Sequence, residues 1–412
     1  MTHADALTAL DAADPLARFR DAFHLPEGLI YLDGNSLGPA PKAALRAVET
    51  AAREEWADGL IRSWNDADWF TLTDRLGDKV GAVIGAAPGQ TVVCDTTSIN
   101  IFKAVAAGLA LVPERRVVVA EGGSFPTDLY ILEGLRGMRP DLEIRLEGVD
   151  APAIEDLLDA RVAVLLVNQV DYRSGARRDV AALTAAAHAV GAVVVWDLCH
   201  SAGVMPVEVD AAGVDLAVGC GYKYLNGGPG APAFVYAAAR HQGSLRQPLS
   251  GWWGHAAPFA FDPAYRGDPG IRRMLCGTQP ILSRRAMEAG LEIAAEADIH
   301  AVRAKSEALT RLFIERVEDR CAGFGLTLAS PRDTAARGSQ VAFRHPDGYP
   351  IMQALIADGV IGDFRAPDIL RFGFAPLFLS FREVAEAADR LAAILKSDRW
   401  RAARFQARAA VT

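Results

Sequence analysis

Two short apolar runs, each ending in a reactive side chain, constrain the fold most. Ala192-Val193-Val194-Val195-Trp196 stops at Asp197, with His200 three positions on, and Asp215-Leu216-Ala217-Val218-Gly219-Cys220-Gly221 stops at Tyr222-Lys223. Runs this short and rich in β-branched residues read as strands buried on both faces, the habit of a parallel sheet. The pattern recurs over 91–94, 116–120 and 162–167, and helical spacing follows these strands over 98–111, 127–137 and 180–190. The run over 233–236 reads as a returning strand. Such alternation predicts an α/β fold with a mostly parallel sheet covered by helices. Ligands of open α/β sheets sit beyond the carboxyl ends of strands, so Asp197 and Lys223 are the first candidates for chemistry.

At 412 residues the chain exceeds the size at which one core stops growing, so two domains are expected. A turn-rich loop, Asp33-Gly34-Asn35-Ser36-Leu37-Gly38-Pro39, follows a short strand over 29–32. An N-terminal arm that belongs in part to the small domain is expected over 1–45, a large domain over 46–285 and a smaller α/β domain over 286–412. Residues 284–321, rich in Ala, Glu, Arg and Leu, read as one long or kinked helix joining the domains. Beyond it, strands over 326–328, 340–343 and 370–374 and helices over 351–358 and 383–395 make the smaller layer.

A net charge of −8 argues against a nucleic-acid surface. No apolar stretch reaches membrane-spanning length. Met1-Thr2-His3-Ala4-Asp5 lacks the basic and apolar segments of a signal peptide. The five cysteines, Cys94, Cys199, Cys220, Cys276 and Cys321, form no CxxC pair, so neither a metal site nor a disulfide framework is expected. A reducing cytoplasm is the simplest setting.

Lys223 and Asp197, 223 − 197 = 26 residues apart, suit pyridoxal phosphate. That cofactor needs a lysine for its Schiff base and an acid to keep its ring nitrogen protonated. Without context a strand-end lysine is usually a solvated surface group. Here Gly219, Gly221, Gly227, Gly228 and Gly230 surround it and permit a tight backbone against a ligand. Asp197 also suits a cap on the next helix, but its place after four consecutive β-formers favours the cofactor acid; His200 alone reads equally well as a satisfied structural histidine. The segment Asp95-Thr96-Thr97-Ser98-Ile99-Asn100 ends a strand and opens a helix. It reads either as a plain cap or as a phosphate site at a helix N-terminus. Phe125 read alone is core packing. Arg371 is an isolated charge in Asp368-Ile369-Leu370-Arg371-Phe372 and needs a substrate anion or an internal acid.

These segments carry a resemblance. Trp196-Asp197-Leu198-Cys199-His200 is similar to the Asp-x-x-His element of the class V relatives of the aspartate-aminotransferase-like, fold type I enzymes. Within that group Asn35-Ser36-Leu37-Gly38, Phe125-Pro126-Thr127-Asp128, Gly221-Tyr222-Lys223-Tyr224 and Gly251-Trp252-Trp253-Gly254-His255 resemble the kynureninases. The likeness runs from Tyr31 to the Arg371 strand. It implies a pyridoxal-phosphate hydrolase of tryptophan catabolism that cleaves L-kynurenine to anthranilate and L-alanine. Lys223 is then the cofactor lysine and Asp197 the partner of the ring nitrogen. His200 lies near the cofactor, Thr97, Ser98 and Tyr222 hold the phosphate, Phe125 stacks on the ring and Asp128 neighbours its hydroxyl. Tyr222 is also the candidate acid/base for later proton transfers.

Further roles follow from the same likeness. Trp252 donates to the phosphate and Thr278 brings a hydroxyl to the site, both toward the neighbouring subunit, which implies a homodimer with shared active sites. Arg371 binds the substrate's α-carboxylate, with Asn35 and Ser36 as further substrate contacts. Trp64 and Thr278 match residues lining the aryl end of the pocket, which implies a preference for kynurenine over 3-hydroxykynurenine. Two rivals remain: a cysteine desulfurase or selenocysteine lyase on the same scaffold, and a cofactor-free binding protein. The first needs a mobile nucleophilic cysteine, and Cys276 and Cys321 fit that role poorly. The second is disfavoured by an intact Lys223, Asp197 and Arg371.

Overall fold

The computed structural model describes residues 3–148 and 152–408. The outermost ends of the expected arm and C-terminal domain, including Met1 and Thr2, lie outside the described residues. The β-branched runs do form a buried sheet. Its seven strands lie in the order Thr91–Val93, Phe234–Ala237, Leu216–Gly219, Val193–Asp197, Val162–Asn168, Val117–Glu121, Glu143–Glu147. Phe234–Ala237 runs antiparallel to both its neighbours, and the remaining pairings are parallel. Two apolar cores flank the sheet. One gathers side chains of helices Thr97–Leu111 and Pro126–Met138, the other those of Leu72–Ile84, Val180–Ala189 and Ile281–Glu296. Helix Thr97–Leu111 lies tight on the sheet because Gly108 has no side chain: a Cβ there would stand 2.9 Å from Val164 Cγ2.

Edge strand Glu143–Glu147 escapes a periodicity reading because its Glu-Ile-Arg-Leu-Glu sequence keeps half-exposed polar positions. The long helix expected over 284–321 is two helices, Ile281–Glu296 and Ile299–Arg320. Ala297 is extended (φ −83°, ψ 130°), and Asp298 starts the second helix by accepting the His300 N–H. An Asp N-cap inside an Ala/Glu-rich stretch is therefore the break.

A third core joins residues from 7–32 with residues from 293–405. Its four-stranded antiparallel sheet has the order Asp363–Arg365, Ile369–Gly373, Gln340–Arg344, Thr327–Leu328. Ile30–Tyr31 pairs in parallel with Val360–Ile361, which brings the loop after Tyr31 against the Arg371 strand. There the Gly373 N–H donates to the Leu32 carbonyl at 2.7 Å.

At the opposite, amino-terminal end of the large sheet, Asp215 anchors the strand that leads to Lys223. It accepts from the Val194 N–H at 2.8 Å, His188 Nε2 at 2.8 Å, His241 Nε2 at 2.7 Å and Arg240 Nη2 at 2.6 Å. Burial alone would raise this carboxyl, but His241, the Val194 N–H, His188 and Arg240 hold it below the ordinary range. A depressed folded value means stabilisation that is present above the unfolded value near ~3.9 and lost as pH falls through the folded one. Asp215→Asn is expected to cost about 1.5–3 kcal/mol at neutral pH, the worth of a hydrogen bond to a charged group. Denaturant unfolding of both proteins at pH 7, pH 4 and pH 2 checks this: the gap holds down to about pH 4 and narrows below it.

Candidate active site

A cavity of about 410 Å³ opens at the carboxyl ends of the central strands, and Asp197, His200, Tyr222 and Lys223 line it. Lys223 follows strand Leu216–Gly219 on a loop with little steric slack. A Cβ on Gly221 would stand 2.4 Å from the Pro232 carbonyl. One on Gly38 would stand 2.3 Å from Asn226 Oδ1 and 2.5 Å from the Lys223 carbonyl. The Gly38 N–H donates to the Tyr222 carbonyl at 2.7 Å. This close approach explains why a glycine ends Asn35-Ser36-Leu37-Gly38.

Lys223 Nζ lies 2.9 Å from His200 Nε2. Burial, then the charges of Lys223 and Arg371, push His200 well below the ordinary imidazole range, so its neutral Nε2 accepts from the amine. Asp197 ends its strand in register with Asn168 and Val218. Its Oδ1 accepts the Cys199 N–H at 2.7 Å. No hydrogen bond engages its Oδ2 among the described residues. Burial raises its carboxyl, opposed by the Cys199 N–H and Lys223. A protonated pyridine nitrogen would offset that burial, so the carboxylate and amine fit pyridoxal phosphate.

Thr97 and Ser98 open helix Thr97–Leu111 and line the same cavity. Thr96 caps this helix, accepting the Ile99 N–H at 3.4 Å, and Ser98 Oγ lies 2.6 Å from Thr127 Oγ1. Hydroxyls at an N-terminus of this length suit a phosphate. Tyr222 is raised above its ordinary range by burial, then by Cys220, Cys199 and Asp197. It stays a phenol, able to donate. Phe125 is 45% exposed at the cavity wall, its ring edge-on to Tyr172 at 5.3 Å. A ring that remains open on one side is available for stacking, contrary to a plain core role. Asp128 is fully buried behind the wall, where its Oδ2 accepts from Asn168 Nδ2 at 3.0 Å. Burial, then Asp197, pushes its carboxyl well up.

Arg371 finds an internal acid as its charge partner. It stands opposite Asp363 across the strand pair. Its Nε donates to Asp363 Oδ1 at 2.7 Å, and Nη2 donates to Asp363 Oδ2 and, at 2.8 Å, to Ser36 Oγ. Nη1 donates to the Tyr172 carbonyl at 2.5 Å. The network orients Asn35 with its amide oxygen 3.1 Å from Arg371 Nε and its nitrogen 3.2 Å from Asp33 Oδ1. Burial would raise Asp363, but Arg371 and Arg365 hold it below the ordinary range. Asp33, by contrast, is pushed up to about 7 by burial and by the Asp363 carboxylate.

Trp252, Thr278 and Trp64 do not line this cavity within one chain. Trp252 is 42% exposed and stacks edge-on at 4.6 Å against Trp253, which in turn lies 5.3 Å from Trp64. Thr278 is exposed. Lys103, wholly buried, ties its loop to the cavity helix by donating to the Met274 carbonyl and to Asp95 Oδ2, each at 2.7 Å. Sequence reasoning missed Asn168, Tyr172, Cys199 and Arg365, which line the cavity, and Asp363, which orders it. Asn168 was findable, because it ends strand Val162–Asn168 just as Asp197 ends its own. Neither cysteine weighed for sulfur chemistry reaches the cavity. Cys321 is buried with its thiol pushed up to about 12 by burial, and Cys276 is half-buried near Thr278. The Cys199 thiol, at the wall, is pushed well up by its hydrogen bond with Cys220, by burial and by Asp197.

A family model described as the kynureninase C-terminal domain matches residues 302–391. The kynureninase of Burkholderia pseudomallei strain 1106a is 53% identical over 417 residues, covering 100% of both chains. That of Pseudomonas fluorescens is 51% identical over 418 residues, again covering 100% of both. Among solved structures, an apo cysteine desulfurase from Thermococcus onnurineus NA1 superposes with a TM-score of 0.74 at 18% identity, covering 95% of this chain and 98% of that one. The cysteine desulfurase CsdA from Escherichia coli gives 0.73 at 19%, covering 92% and 98%. At such identities these two structures speak for the fold alone.

Proposed function

The chain belongs to the kynureninase family, and from that premise we propose how its residues carry the family's reaction, hydrolysis of L-kynurenine to anthranilate and L-alanine with pyridoxal phosphate. The carrying observation is one cavity that holds the Lys223 amine on neutral His200, the Asp197 carboxylate and the Arg371 cluster. Bound there, the cofactor supplies an electron sink that lets the Cβ–Cγ bond of the substrate break.

Lys223 would hold the cofactor through its amine, and the same amine would take the substrate's α-proton. His200, kept neutral, accepts an N–H from the amine and fixes its direction. Asp197 would keep the ring nitrogen protonated. Thr97, Ser98 and Tyr222 would bind the phosphate and Phe125 would cover the ring face, with Asp128, which accepts from Asn168, the acid nearest its hydroxyl. Tyr222, a phenol at working pH, holds a proton for the later transfers. Arg371, Ser36 and Asn35 bind the α-carboxylate and orient Cα. Incubating the holoenzyme with L-kynurenine and following anthranilate fluorescence tests the reading; absence of anthranilate overturns it.

A homodimer completes the site, with Trp252 and Thr278 serving the partner's cavity. Support comes from the exposure of Trp252 beside Phe259 and Phe261, 59% and 80% exposed, an apolar surface that a second copy would cover. Mixing inactive Lys223→Ala with an inactive Trp252→Ala variant is expected to restore part of the activity. A fully active monomer in sedimentation ends the idea. Free thiols at all five cysteines suit the reducing cytoplasm.

Trp64 shares the aromatic cluster of Trp252, so it travels to the partner's cavity with that residue. Its indole fills space beside the aryl ring and offers a single donor. A buried 3-hydroxyl without a partner costs roughly 1–3 kcal/mol, or about ten- to a hundredfold in kcat/KM. Kynurenine is therefore expected to be preferred over 3-hydroxykynurenine, and equal kcat/KM values would remove Trp64 and Thr278 from the pocket.

A further inference from the structure

Arg371 is short of free donors. A guanidinium has five N–H groups. Its Nε is on Asp363, both Nη2 hydrogens are on Asp363 and Ser36, and one Nη1 hydrogen is on the Tyr172 carbonyl. One N–H remains for an incoming carboxylate, whereas tight carboxylate recognition uses two parallel donors. A second guanidinium lines the same cavity. Arg365 lies two residues from Asp363 on the neighbouring strand, and its side chain is 34% exposed against 2% for Arg371. Its Nη2 donates to Asp363 Oδ2 at 2.6 Å and meets Ser36 Oγ at 3.4 Å. Its Nε is buried with no hydrogen-bond partner. Asp363 Oδ2 therefore carries both arginines, and Arg365 keeps donors that the protein leaves unused.

The charges agree. Two guanidiniums face one ionised carboxylate, Asp363, and Asp33 alongside resists ionisation. The cluster keeps an excess positive charge, which an anion entering the cavity would neutralise. A cluster meant only to stabilise the fold needs no such excess, since an unpaired buried charge is costly.

We propose that Arg365 is a second carboxylate-binding residue of this site, and that Asp363 is the positioning residue holding Arg365 and Arg371 side by side. The substrate's α-carboxylate takes one donor from Arg371 and its others from Arg365. This rests on reading the cavity as the substrate site.

Two small ligands separate the carboxylate from everything else. L-alanine carries amine and carboxylate, and ethylamine carries the amine alone. Each is titrated into holoenzyme while the absorbance of the bound cofactor is followed. Arg365→Gln is expected to weaken L-alanine by roughly ten- to a hundredfold, the worth of a charge-assisted hydrogen bond, and to leave ethylamine unchanged. Arg365→Lys recovers part of the loss, because it restores charge without the planar fork. With kynurenine the same variant raises KM more than it lowers kcat. Unchanged L-alanine affinity in Arg365→Gln overturns the proposal. So does equal weakening of both ligands, which would mean that Arg365 acts through the fold. The titrations stand apart from turnover: failure of wild type to release anthranilate would count against the reaction, while the alanine-to-ethylamine ratio still reports on Arg365.

Discussion

Replacing Lys223 with alanine is expected to leave a folded protein that neither turns over kynurenine nor holds its cofactor covalently. The side chain gives the fold little: it is half-buried, and its one hydrogen bond is to His200. Its loop is held by main-chain bonds that alanine keeps, from Gly38 N–H to the Tyr222 carbonyl and from Asn226 N–H to the Lys223 carbonyl. The chemistry loses far more. In the proposed reaction Lys223 is nucleophile toward the cofactor and base toward the substrate, and general base catalysis alone is worth about 10²–10⁴-fold. Loss of both roles takes activity below that range. Circular dichroism checks the fold, and borohydride reduction followed by mass spectrometry checks the covalent link. Reductive labelling at another lysine with turnover retained would refute the assignment.

The same residue shows what was legible beforehand. Asp197 and Lys223 announce themselves because a buried strand writes a continuous apolar run, and the polar residue ending it faces the ligand edge of the sheet. Thr97 and Ser98 are half legible: a helix start is visible, but a cap and a phosphate site use the same residue types. Phe125 looks like ordinary packing until the family motif is set beside it.

What stayed hidden is what depends on contacts between distant segments. Arg371 reads as a lone charge, but its acid is Asp363, supplied by strand register rather than by local sequence. Its Tyr172 partner follows strand Val162–Asn168 of the seven-stranded sheet, a reach of 371 − 172 = 199 residues. No periodicity encodes either contact. The helix break at Ala297 and Asp298 was hidden for the opposite reason. Ala, Glu and Arg on both sides all favour helix, and one Asp cap decides against continuity.

Asp197→Asn is expected to keep the fold and some cofactor and to lose most activity, on the order of 10²–10⁴-fold, the scale of a lost acid–base or electrostatic contribution. The substitution discriminates because the structural role of Asp197 is one that asparagine also fills. Its Oδ1 accepts the Cys199 N–H at 2.7 Å, and an amide oxygen accepts there as well. Asn is as good as Asp at such turns and caps. If Asp197 merely orders the segment leading to His200, the variant should behave almost as wild type. If its free oxygen holds the proton of the cofactor's ring nitrogen, an amide in its place cannot stabilise the charged ring, and carbanion stabilisation falls with it. Burial already raises the Asp197 carboxyl, with Lys223 and the Cys199 N–H opposing, so a cation beside it is what the site needs to keep it ionised. Rapid-scan absorbance with kynurenine, together with kcat, makes the measurement. Near-normal values for both would return Asp197 to the role of a turn residue.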